Sequence, residues 1–396
     1  LYGTGADFGL DIADGAIDTD SGDITLEGTA TAATAIAGVR VTGDGLVTNG
    51  GDIRVTGTSA GGVGVQLGDS GAFAIGSGGG AITIEGTGIT AGVMMQGNQV
   101  TSGGGAVSII GTGTTTGVSL DGSDVDSAGG GIDIEGTASA GGGSGVSLSN
   151  AQLIGAAGDV TVRGTAAAGV GVLLANGASI STTTGAISLY GTGADFGLDI
   201  ADGAIDTGSG DITLTGEALA VGATAGVRVT GGGLTTNGGS IVVSGTSAGG
   251  VGVQLGDGGT FAIDSGGGAI SLNGTGVTTG VQMTGNAVNS GGGVMDVIGT
   301  ASGSNGIGVD LADAQLIAGA GDVRVFGNAV AGTGVNFTGL SSIATTTGAI
   351  SITGIGASIG LDVAGGELST DSGHIDLRGR GASSGAIGLR IGQGVS

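Results

Sequence analysis

Apolar and polar residues alternate in short runs along this chain. In ITLEG at 24–28, Ile24 and Leu26 fall on one side and Thr25 and Glu27 on the other. Period two is the mark of a strand with one buried face, and a helix would repeat at 3.6 instead. The phrase recurs from Ile24, Ile53, Ile82 and Val107 to Ile350 and Ile375, fourteen times at spacings of 25 to 29 residues. The fourth residue after each of these positions is a glycine, from Gly28 and Gly57 to Gly354 and Gly379. A second phrase follows in every unit, a glycine, then Val or Leu, any residue, and an aliphatic, as in Gly38-Val39-Arg40-Val41. Seven or eight residues after that Val or Leu most units add one more aliphatic, such as Leu46, Val100 or Leu153. Each unit is therefore predicted to hold three short strands separated by glycine-rich turns.

The repeat is itself repeated. Residues 1–19 return letter for letter at 189–207. Spacings between first phrases run 29, 29, 25, 25, 28, 27, 25 in the first long copy and 29, 29, 25, 28, 27, 25 in the second, so the copies differ by one 25-residue unit. This reads as an internal duplication, 1–188 with seven coils and 189–351 with six, then a partial third copy at 352–396. Loss or gain of a whole unit without disturbing its neighbours is expected where each coil touches only the coils beside it. Strands recurring once per coil in the same direction pair in parallel, and crossover connections favour the right hand. The expected fold is all-β, a right-handed parallel β-helix (β-solenoid) of about 14–15 coils running as one continuous domain over 1–396.

Composition narrows the picture. The chain has 396 residues, 101 of them Gly, with no Pro, Cys or Trp and eight aromatic side chains. A core built on large rings is excluded, and small aliphatics must pack in its place. Net charge is -25, with eight Arg against 33 carboxylates, so a nucleic-acid partner is not expected. No apolar run is long enough to span a bilayer as a helix, and direct membrane insertion is not expected. The chain opens within a first phrase and ends partway through another unit, without an atypical capping coil. Open sheet edges are adhesive, so flanking coils or other copies of the protein are expected to cover both ends.

Opposite charges fall at matching outward positions one coil apart. Asp11 precedes Arg40, Asp199 precedes Arg228, Asp362 precedes Arg390, Glu135 precedes Arg163 and Asp296 precedes Arg324. Such pairs are expected to fix register between interchangeable coils.

Candidate chemistry is sparse. His374 is the sole histidine and Cys is absent, so no Ser-His-Asp or Cys-His set is available. The outward file Asp11, Arg40, Gln66, Met94, Ser119, Ser147, Leu173 gathers no run of carboxylates of the kind that cleaves glycosidic bonds. Calcium is the one metal weighed, because IDTDSGD at 17–23 brings together Asp18, Asp20 and Asp23, and Asp52 matches Asp23 one coil on. Asp20 becomes Gly208 in the second copy, and the turn aspartates are read as solvated. Outward Thr25, Arg54, Thr83, Ser108, Asp133 and Thr161 form no unbroken threonine row, so no ice-binding face is expected. Sequons begin at Asn273 and Asn336, at chance frequency for this composition. No catalytic, cofactor-binding or metal-ligating residue is assigned, and no enzyme is expected.

Phrases such as GGGAISLNGTG (267–277) and SGDITLEGT (21–29) resemble the repeat regions of bacterial filamentous-haemagglutinin-like exoproteins and autotransporter adhesins. The resemblance spans the chain and is one of repeat grammar. It implies secretion to the cell surface and a part as fibre, stalk or adhesin, with cell-surface glycans or other cells as partners. Two alternatives stand beside it: a subunit that polymerises end to end into a filament or surface layer, and a polysaccharide-binding or polysaccharide-cleaving β-helix.

Overall fold

In the computed structural model, residues 1–69, 73–256 and 262–392 are described. All their regular structure is strand, from Tyr2–Gly5 to Ile387–Ile391, with no helix among the described residues. Coils of about 27 residues wind three parallel sheets into a β-solenoid, about 14 coils in all. They fall into two compact units, Leu1–Ala194 and Asp195–Ser396.

In the first unit each coil gives one strand to each sheet in turn, as Ile24–Ala30, Ala37–Val41 and Gly45–Thr48 do in the second coil. Ile24, Ile53, Ile82 and Val107 stand in register in the first sheet. They are at most 3% exposed. The second sheet stacks Val39, Val65, Val93 and Val118, and the third Leu46, Ile75, Val100 and Val125. Like residues therefore lie on like, and the three files close a core of aliphatic side chains that a single coil cannot bury alone.

The second unit repeats the design. Ile212, Ile241, Ile270, Met295, Val323 and Ile350 form one buried file. The third sheet shifts register between Ile317 and Gly319, and the first unit does so between Ile154 and Ala156. Both shifts fall in 28-residue coils, where the third strand is the longer Gln315–Gly319 or Gln152–Ala156.

The invariant glycine of the first phrase has a steric cause. A Cβ built on Gly28 would lie 2.1 Å from the carbonyl oxygen of Gly38, and one on Gly111 2.1 Å from that of Gly117. The first and second sheets meet there backbone to backbone. Neither Gly28 nor Gly111 has a positive φ, so the requirement is close approach and not an unusual conformation.

A hydroxyl file lines the corner between the third and first sheets. Buried Ser77 donates to Gly80 O at 2.5 Å and Ser265 to Gly268 O at 2.6 Å. Each also reaches the next coil, at Ser102 O (3.0 Å) and Ser290 O (3.2 Å). The sequence carries this corner as Ser or Thr three residues before a glycine, as in Thr182 and Gly185 or Thr345 and Gly348. At 155–158 and 318–321 the hydroxyl is missing, and a backbone bond closes the turn, Gly158 N–H to Gly155 O and Gly321 N–H to Ala318 O, both 2.9 Å.

Candidate functional site

Charged chemistry on this scaffold is confined to the outward positions, because the inward ones are filled by aliphatics, glycines, corner hydroxyls and the carboxamides of Asn98 and Asn286. The outward file of the second sheet is the most organised. In the first unit Asp11, Arg40, Gln66, Met94, Ser119, Ser147 and Leu173 stand in register as the sequence predicts. In the second unit the same file is polar throughout: Asp199, Arg228, Gln254, Gln282, Asp310, Asn336, Asp362 and Arg390.

Three charge pairs anchor these files. Arg40 donates from Nε and Nη2 to the two oxygens of Asp11 at 2.8 and 2.7 Å, and its guanidinium lies 4.2 Å over the Phe8 ring. The second copy repeats the cluster, with Arg228 on Asp199 at 2.8 and 2.6 Å and 4.1 Å over Phe196. Arg390 forks onto Asp362 in the same way, with Ile359 where the other two clusters have phenylalanine. A fork on a carboxylate with an aromatic ring against the guanidinium fixes geometry as well as charge.

The first-sheet pairs depart from expectation. Glu135 and Arg163 are in register, yet Arg163 carries its ion pair diagonally to Asp133 at 3.0 Å. Its guanidinium sits 5.3 Å from the Tyr190 ring on the following coil. Arg324 meets Asp296 at 3.5 Å but lies closer to Asp322, at 3.1 Å. Two further pairs are not legible in the sequence, Arg54 with Glu85 and Arg378 with Asp376, both at 2.6 Å. One is diagonal and the other lies within a strand, so matching positions coil to coil cannot find them.

Among the described residues Asp310 is the one carboxyl pushed above its usual range, by burial, against the opposing effect of a 2.7 Å hydrogen bond from Asn336 Nδ2. That bond also engages the second sequon asparagine, while Asn273 Nδ2 donates to Ser271 Oγ at 2.9 Å.

Two of the aspartates weighed for calcium, Asp23 and Asp52, serve the backbone. Asp23 Oδ1 accepts the Asp52 N–H at 2.9 Å, and Asp52 Oδ1 accepts the Ala81 N–H at 2.8 Å. Asp159, Asp211 and Asp322 do the same for Ala186, Ser240 and Ala349. Among the described residues no three His, Asp or Glu side chains stand together in a group able to hold a metal ion. His374 is exposed at the entry to the strand Ile375–Gly381, and its backbone oxygen accepts the Ile350 N–H.

The file through Thr25 and Arg54 is broken, as the sequence predicts. The outward position just after the invariant glycine is threonine in each coil of the first unit: Thr4, Thr29, Thr58, Thr87, Thr112, Thr137, Thr165 and Thr192 stand in register. In the second unit Glu217, Asn328 and Ile355 interrupt that file. Glu27, Thr56, Glu85, Ile110, Glu135 and Arg163 occupy the adjacent outward file of the first unit. A β-branched residue beside a glycine restores the extended preference that glycine lacks.

Two cavities open at matching corners between the second and third sheets. One of about 410 Å³ is lined by Phe73, Asn98, Gln99 and Asp124, the other of about 360 Å³ by Gly285, Asn286, Asp313 and Gln315. Compared with family models, curated proteins and solved structures, the chain matches none of them.

Proposed function

We propose that this chain is a structural segment of a long extracellular bacterial surface protein, serving as fibre, stalk or adhesin. The observation that carries the reading is the interchangeability of the coils. The second copy lacks one 25-residue coil, yet the files on either side of the gap, Ile270 to Met295 and Val281 to Val309, continue in register. In such a stack, coil number sets length, which suits a spacer. The repeat grammar of SGDITLEGT and GGGAISLNGTG points the same way. Antibodies raised against the folded chain test the reading on cells of the source organism. Labelling of intact cells is expected, and labelling only after permeabilisation overturns it.

A second reading, a polysaccharide-binding face, is favoured by the polar outward file from Asp199 to Arg390. Incubation with acidic and neutral polysaccharides separates the two, since retention on a glycan column that is lost on substituting Gln254 and Gln282 supports the second.

A further inference from the structure

We infer that the second unit opens first at the coil 270–294, where the neighbouring coil leaves the Asn286 carboxamide without a partner. Coil 82–106 of the first unit is its counterpart, as the segments GNQVTSGGG (97–105) and GNAVNSGGG (285–293) make plain. Asn98 and Asn286 are both inward, both 3% exposed, and occupy the same place at the start of the third-sheet strand.

The coils stacked next on these two asparagines differ. In the first unit the neighbour is 107–131, and it places Ser123 beside Asn98. Ser123 Oγ accepts the Asn98 N–H at 3.2 Å, and its one proton is shared between Asn98 Oδ1 and Asp121 O, both at 3.4 Å. The second unit has one 25-residue coil where the first has two, and the coil stacked next on it is 295–322. The register partners Ala287 and Gln315 put Ala314 where Ser123 would stand. Ala314 is buried and has no hydroxyl. Asn98 is left with only Nδ2 unsatisfied, whereas Asn286 has both Nδ2 and Oδ1 unsatisfied.

A cavity adjoins both asparagines, so the cavity does not distinguish the units; the absent hydroxyl does. A buried acceptor that water would satisfy on opening favours the open state, and local opening starts where few bonds must break.

Hydrogen exchange on the full chain, read by mass spectrometry, tests this with the molecule as its own control. Amides of 285–294 are expected to exchange about tenfold faster than those of 97–106, the ratio that corresponds to one unsatisfied buried polar atom. Ala314→Ser is expected to slow 285–294 toward the first unit's rate, and Ser123→Ala to speed 97–106 toward the second's. Equal protection in the two segments overturns the inference, because a buried water would then be satisfying Asn286. So does an Ala314→Ser variant that folds and leaves 285–294 unchanged.

Discussion

Gly136 faces the carbonyl oxygen of Gly145 so closely that a Cβ on Gly136 would lie 2.0 Å from it. The obstacle is backbone, held in the ladder of the second sheet, and cannot step aside as a side-chain tip could. Gly136→Ala is therefore expected to destabilise the fold by about 3 kcal/mol, at the upper end for overpacking. Gly131, five residues earlier, is the control: a methyl group added there would have its nearest neighbour 3.7 Å away, and the φ of Gly131 is not positive. Gly131→Ala is expected to be neutral or stabilising by about 0.5 kcal/mol. Denaturant midpoints of the two variants check the contrast.

Charge pairs of similar length should differ widely in worth. Asp199 is 4% exposed and forked by Arg228, so Asp199→Ala is expected to cost about 2 to 3 kcal/mol. The Asp133 and Arg163 side chains are 58% and 50% exposed, and Asp133→Ala is expected to cost between 0 and about 1 kcal/mol. Added salt should weaken the second effect and leave most of the first. Urea unfolding at low and high salt distinguishes them.

Asp310 should make stability fall with rising pH over an acidic window. Burial raises its carboxyl above the usual value, so the folded state holds the proton more tightly than the unfolded one. Stability is fully present below the unfolded value of about 3.9 and is lost as pH rises through the raised folded value. Asp310→Asn keeps an acceptor for Asn336 and carries no charge. It is expected to be more stable than the parent above that window and equal to it below; a gap independent of pH would refute the assignment.

The corner hydroxyls should be worth more than their size suggests. Ser77→Ala removes a buried donor that serves Gly80 O and Ser102 O, on two successive coils. The expected cost is about 1 to 3 kcal/mol. Ser77→Thr, which restores the donating hydroxyl found at Thr182 and Thr345 in other coils, should recover most of it. Thermal melting of the three proteins decides.

Much of the fold is legible in the letters because coil period and strand period are both encoded locally. Ile24, Ile53 and Ile82 announce a buried file by recurrence alone, and the forks of Arg40 on Asp11 and Arg228 on Asp199 follow from matching positions. The same matching fails for Arg163, because register places backbones and a flexible arm then chooses among carboxylates within reach. It succeeds for threonine: the file through Thr25 is broken as matching predicts, and the first unit's row beside the invariant glycine recurs at matching positions. Asp23 and Asp52 have the spacing of ligands, and only the N–H groups of the next coil beside them show what they hold.

By itself the sequence determined the parallel stack, its coil length and the residues that face inward, since alternation and recurrence are one-dimensional properties. Only the tertiary structure decided why the fourth residue after each first-phrase position is glycine, which carboxylate each arginine takes, and that Asn286 is without a partner. Those depend on atoms brought within a few ångströms from neighbouring strands and coils, and distance across a coil is not written in spacing along the chain.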